Sequence, residues 1–156
     1  MTDTLPEIII SADDAVFWMD NRGRWCNEHG PFENPRIIDC FNRALCRDRQ
    51  GYFVTQDRDG IREKVYFHYV DTPLTAVDAL GKPPSILVIN TGSRLPLDPS
   101  ALHIFNDTLF MKSGDECIRF SERVMVKLAS FLKETPQGLT IKLGDRRYPI
   151  SGSALT

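Results

Sequence analysis

The stretch from Gly30 to Val54, GPFENPRIIDCFNRALCRDRQGYFV, constrains this chain more than any other part of it. It reads as a loop, one short amphipathic helix and a strand. Asn34 suits a helix N-cap, because its side-chain oxygen can accept from a free backbone N–H of the first turn. Pro35 then falls at the first helical position, where its missing N–H costs nothing. Ile37, Ile38, Phe41, Ala44 and Leu45 recur at helical spacing as one apolar stripe. Arg36, Asp39, Arg43 and Arg47 fall on the opposite side, and Asp39 is spaced to pair with Arg43. The segment Asp48-Arg49-Gln50-Gly51 is expected to end the helix, with a strand over Tyr52–Thr55 after it.

Shifted by 64 positions, part of this pattern returns: Asn34-Pro35 becomes Asp98-Pro99, Phe41-Asn42 becomes Phe105-Asn106, and Leu45 becomes Leu109. The agreement suggests an internal duplication of a strand–helix–strand motif. The second copy also admits another reading. Asp107 and Thr108 are poor helix formers, so Leu109-Phe110-Met111 reads equally as a strand.

A chain of 156 residues fits one domain or two small units packed together. A net charge of −2 argues against a nucleic-acid binder. No apolar run reaches the length of a membrane span. The start MTDTLPE lacks the basic residues of a signal peptide, so the expected compartment is cytoplasmic. Cys26, Cys40, Cys46 and Cys117 have no close metal-ligand spacing and are expected as reduced thiols. Cys26 and His29 make half a zinc site at best, so neither metal nor cofactor is expected.

Taken in order, the N-terminal tail carries a short apolar patch, Ile8–Ile10, that could add an edge strand. Val16–Met19 and Arg24–Cys26 read as a hairpin about Asp20-Asn21-Arg22-Gly23. Tyr52–Gln56 and Lys64–Val70 read as a second hairpin, with Val65, Phe67 and Tyr69 on one face. Asp71-Thr72-Pro73 breaks the ladder, because proline cannot donate to it. Leu74–Leu80 continues as a strand, and Gly81-Lys82-Pro83-Pro84 is the expected boundary between residues 12–80 and 81–156. Residues 1–78 carry 9 basic and 14 acidic side chains (9 − 14 = −5), and the remainder 10 and 7 (10 − 7 = +3). Opposite signs favour docking of the halves into one compact body. In the second half, Ile86–Ile89 reads as a buried strand, Ser121 as the cap of a helix reaching about Lys133, and Leu139–Leu143 with Arg147–Ile150 as a final hairpin. The expected class is α+β, mostly antiparallel strands with two or three short helices.

The order of these motifs resembles the bacterial family called domain of unknown function 1285. The resemblance is carried by Gly23-Arg24-Trp25, Gly30-Pro31-Phe32, Pro35-Arg36-Ile37, Phe41-x-x-x-Leu45, Asp48-x-x-Gly51-Tyr52, Val70-Asp71-x-Pro73-x-x-Ala76-Val77-Asp78, Asn90-Thr91, Arg119-x-Ser121-x-Arg123-Val124 and the Gly138–Pro149 hairpin. It implies an α+β fold with a duplicated core motif and a C-terminal half similar to pleckstrin-homology-like folds. The family has no established activity, and a groove between its halves and a signalling role are suggestions only. This chain departs from the pattern in its Gly144-Asp145-Arg146-Arg147 turn and in a shorter middle of the second half.

Among polar residues Arg36 stands out, at a helix start where backbone N–H groups and the helix dipole favour anions. It would add a bidentate donor, or else pair with Glu33 or Asp39. Asp71 could bind a ligand or meet Arg36, or serve only as a turn residue. Trp18 and Trp25 could line a pocket or fill the core. No catalytic Ser/His/Asp or Cys/His arrangement is legible, and Asp57–Gly60 lacks the remaining ligands of a calcium loop.

The expected function is a non-enzymatic module holding a small anionic ligand or a peptide in a groove between the halves, lined by Arg36, Asn34, Trp25 and Asp71. One alternative is a hydrolase of a phosphorylated or acyl substrate using Asp71 and a histidine. The other is a protein-binding adaptor, or a homodimer, joined through a strand edge such as Leu74–Leu80.

Overall fold

Asn34 closes the first helical turn in the computed structural model, which describes residues 5–152. Its Oδ1 accepts from the N–H groups of Arg36 at 2.9 Å and Ile37 at 3.4 Å, and helix α1 runs from Pro35 to Ala44. The described chain divides into two compact units between Pro73 and Leu74.

The first unit begins with strand β1, Glu7–Ile10; residues 1–4 of the tail lie outside the described residues. A three-stranded meander follows: β2, Phe17–Met19; β3, Trp25–Asn27; and β4, Gly30–Pro31. After α1 come β5, Leu45–Asp48; β6, Gly51–Arg58; and β7, Ile61–Tyr66. The four-stranded sheet has the order β1-β7-β6-β5, with β1 parallel to β7 and the rest antiparallel.

The helix ends earlier than expected. Leu45 already has an extended backbone (φ −65°, ψ 124°), and Leu45–Asp48 pairs with Gly51–Val54 in a hairpin. Asp48 Oδ1 stabilises its turn by accepting from Gln50 N at 2.9 Å. Leu45 satisfies both periods at once, since it extends the helical stripe and also faces Val54 across the ladder. That ambiguity hid the boundary.

Aromatic rings fill the core of this unit. Phe17, Trp25, Phe41 and Phe67 meet at centroid distances of 5.0 Å (Phe17–Phe41), 5.2 Å (Trp25–Phe41) and 4.8 Å (Trp25–Phe67). Such pairs add about 0.5–1.5 kcal/mol each beyond their buried area. Ile38, Phe41, Ala44 and Leu45 pack against this cluster as the stripe requires. Ile37, assigned to the same stripe, stays 47% exposed.

The second unit opens with β8, Thr75–Leu80; β9, Ile86–Ile89; and β10, Arg94–Pro96. A 3₁₀ turn, Pro99–Ala101, capped by Asp98, leads to β11, Leu102–Phe105; β12, Thr108–Ser113; and β13, Glu116–Phe120. Helix α2, Glu122–Leu128, runs into a 3₁₀ turn at Ala129–Phe131. Then come β14, Leu132–Thr135; β15, Gly138–Leu143; β16, Arg146–Pro149; and β17, Ser151–Gly152. Seven strands form one sheet in the order β10-β9-β8-β13-β12-β11-β17. Leu87, Phe110, Ile118, Val124, Leu128 and Ile141 are all at most 1% exposed in this unit.

Two expectations change here. Gly81-Lys82-Pro83-Pro84 is the turn between β8 and β9, with a cis Lys82–Pro83 bond, so it lies inside the second unit. Strand β8 lies between β9 and β13, so Leu74–Leu80 belongs to an interior strand of its sheet and not to the edge strand expected.

The duplication is present at a different spacing. A shift of 64 sets the middle of α1 against β11, pairing helix with strand. A shift of 87 matches the boundaries from the helix cap to the start of the second strand after the helix. Asn34 meets Ser121, whose Oγ accepts from Val124 N; α1 meets α2 with its 3₁₀ extension; β5 meets β14; and the starts of β6 and β15 coincide. The pairings Leu45–Val54 and Asp48–Gly51 recur as Leu132–Ile141 and Thr135–Gly138. Arg36 and Arg123 are identical counterparts, as are Gln50 and Gln137. Each helix follows a three-stranded meander, β2-β3-β4 or β11-β12-β13. The strand reading of Leu109–Met111 holds, within β12.

Candidate functional site

All four residues singled out from the sequence lie in the first unit. Asn34 spends its side-chain oxygen on the cap. Arg36 is exposed and has no acidic partner among the described residues; Asp39 pairs with Arg43 instead, at 2.9 Å. Trp25 is 2% exposed and its Nε1 donates to Asn42 Oδ1 at 2.7 Å, so it holds α1 to β3 and offers a ligand no surface. Asp71 is an exposed residue at φ +63°, after β7 has ended, and no bond links it to Arg36 among the described residues. Asn34 and Arg36 therefore stand together at the start of α1, with Trp25 under the helix.

The hydrolase alternative needs a histidine beside Asp71. His68 instead faces Asp13 at 2.8 Å, His29 faces Glu28 at 3.4 Å, and His103 lies 3.9 Å from Cys117 Sγ. His103 belongs to a buried row across four strands, His103, Phe110, Arg119 and Thr75, opposite one another in the β11-β12-β13-β8 ladder. Its ring stacks on Phe110 at 5.7 Å, and the Arg119 guanidinium lies 5.9 Å from the same ring. Burial pushes the His103 imidazole pKa down, which favours the neutral ring.

A concavity with an apolar and basic lining lies in the second unit. It has a volume of about 920 Å³, within the usual range for ligand sites. The β8–β9 turn supplies Gly81, Lys82, Pro83 and Pro84; α2 and its extension supply Lys127 and Phe131; β15 and its turn supply Lys142 and Gly144. Leu80, Pro84 and Phe131 give it apolar lining, and Lys82, Lys127 and Lys142 line it as well. Gly81, at φ +102°, is required by the turn, because an added Cβ would sit 2.8 Å from Ser85 Oγ and 2.9 Å from the Pro83 carbonyl oxygen.

One lysine is already committed. Lys127 Nζ donates to Asp78 Oδ1 at 2.5 Å and to the Ala79 carbonyl at 3.1 Å. Arg123 Nε approaches the same Asp78 oxygen at 3.4 Å. The bond from Lys127, then those from the Ala79 N–H and Arg123, hold the Asp78 carboxyl down at a pKa of about 2. Lys82 and Lys142 are exposed and have no acidic partner among the described residues.

The sequence names the Gly81–Pro84 turn but not this site. The three lysines are 45 and 15 residues apart (127 − 82 and 142 − 127), and the packing of α2 on β8 and of its 3₁₀ extension on β15 brings them together. No group of metal-ligating side chains occurs among the described residues, and no described helix is long and apolar enough to cross a membrane.

No family model and no curated protein matches the chain. Among solved structures, a DUF1285 family protein from Silicibacter pomeroyi DSS-3 is similar with a TM-score of 0.60 and 12% identity, covering 95% of this chain and 84% of that one. A duf1285 family protein from Shewanella baltica OS155 matches with a TM-score of 0.45 and 13% identity, over 69% of this chain and 84% of that one. The resemblance drawn from the motifs is thus met by a similar fold in the Silicibacter protein, and at this identity the likeness is one of fold.

Proposed function

We propose that the chain is a non-enzymatic binding module whose second unit takes a small anion with an apolar body, such as an acyl or aryl carboxylate or an alkyl phosphate. The supporting observation is the lysine-rimmed apolar concavity at the β8–β9 turn. Lys82 and Lys142 carry charge that no described acidic side chain offsets, so an anionic head group gains attraction there. Leu80, Pro84 and Phe131 would cover an apolar tail and remove it from water, at about 25 cal/mol per Å².

Calorimetric titration of the full chain with octanoate and octyl phosphate tests this. Saturable binding that weakens at least tenfold in Lys82→Ala/Lys142→Ala, and weakens with added salt, is the expected result. No binding of either compound at millimolar concentration, or binding indifferent to the double substitution, would overturn the reading.

A further inference from the structure

The two copies of the motif differ in what lies beside the strand that enters the helix. In the second unit β13 carries β8 on its outer edge, parallel to it, with Arg119 opposite Thr75 and Phe120 opposite Ala76. Arg119 N donates to the Leu74 carbonyl at 3.0 Å, and the cap residue Ser121 donates its N–H to the Ala76 carbonyl at 3.1 Å. Strand β8 also packs on α2, and its Asp78 reaches Arg123. Val124, on the helix face of this copy, is fully buried.

In the first unit the corresponding place is open. Strand β4 ends its sheet, with β3 on one side and no strand on the other among the described residues. The N–H of Asn34, counterpart of Ser121, has no acceptor among the described residues. Arg36, counterpart of Arg123, has no carboxylate. Ile37, counterpart of Val124, is 47% exposed. Pro31, Phe32, Asn34, Ile37 and Phe41 line a concavity of about 390 Å³ at this spot.

We propose that the open edge beside β4 and α1 receives an extended acidic peptide segment of a partner protein, laid down as β8 is laid on β13. The second copy specifies the segment: short apolar residues against the strand and helix, a main-chain carbonyl for the Asn34 N–H, and an aspartate two residues further on for Arg36. One detail differs between the copies. Phe32 N turns inward to the Trp25 carbonyl at 2.8 Å, so the segment gains fewer main-chain bonds and relies more on apolar contact with Phe32 and Ile37. Glu33 at the rim disfavours a second acid next to the first.

The probe is a fluorescein-labelled peptide with this chain's own β8 sequence, LTAVDAL, titrated with the full chain and read by anisotropy. Saturable binding is expected, weakened about tenfold by Arg36→Ala and equally by asparagine in place of the peptide's aspartate. Amide chemical-shift changes should centre on residues 30–41. Lys82→Ala/Lys142→Ala should bind the peptide unchanged, which separates this site from the lysine-rimmed one. No binding at millimolar peptide overturns the proposal. So does binding that survives Arg36→Ala, or a chloride- or phosphate-sensitive Arg36 site that ignores the peptide. A concentration-dependent dimer that the peptide fails to dissociate overturns it in favour of a second copy of the chain.

Discussion

Trp25 and Asn42 are joined by a 2.7 Å hydrogen bond from indole Nε1 to the amide oxygen, which ties the β2–β4 meander to α1. The indole is almost wholly buried. Asn42→Ala leaves that donor unpaired and should cost about 1–3 kcal/mol. Urea unfolding checks this: the midpoint should fall with little change in slope.

Ile37 and Val124 occupy the same position in the two copies, one half-exposed and the other fully buried. Val124→Ala should destabilise by about 2 kcal/mol, from lost burial plus a residual cavity. Ile37→Ala should cost under about 1 kcal/mol, as surface changes do. Equal losses in thermal unfolding would show that burial does not distinguish the copies.

Asp48 and Asp78 both have carboxyl groups held at a pKa of about 2, against an ordinary 3.8. The Asp48 group accepts from Lys64 Nζ and Tyr66 Oη, each at 2.6 Å. A folded pKa below the unfolded one contributes stability above the unfolded value, and that stability is lost as pH falls through the folded one. Stability should therefore drop between about pH 4 and 2. Asp48→Asn/Asp78→Asn should flatten that part of the curve, and carbon-detected titration of the two carboxyls should give midpoints well below 3.8.

Gly81→Ala forces a β-carbon into contact with Ser85 and the Pro83 carbonyl at a left-handed φ of +102°. Strain of this kind costs of order 1–3 kcal/mol. Because the same turn presents Lys82, the variant should lose octanoate affinity as well as thermal stability. Unchanged affinity would remove the turn from the concavity's function.

Local chemistry carried through where one element decides its own state. The Asn34 cap with Pro35 predicts where α1 starts, Ser121 predicts where α2 starts, and Gly144-Asp145 sits at its hairpin turn as expected, whereas of the expected turn Asp57-Arg58-Asp59-Gly60 the first two residues continue β6. Local chemistry failed where two states fit the same residues. Leu45 suits the helical stripe and the strand alike, and only Val54 across the ladder chooses between them. Trp25 on a short strand could be pocket or core, and the helix packed over it made it core.

By itself the sequence determined the class of fold, the two helix starts and most of the turns, because capping and turn geometry depend on neighbours within about four residues. The tertiary structure decided the spacing of the duplication, the place of β8 in the middle of its sheet, and the gathering of Lys82, Lys127 and Lys142 around one concavity. The place of β8 rests on strand pairing between residues far apart in the chain, and the lysines meet through the packing of α2 on β8 and of its 3₁₀ extension on β15. A period-two pattern of side chains specifies which face of a strand is buried, and it leaves open which strand lies beside it.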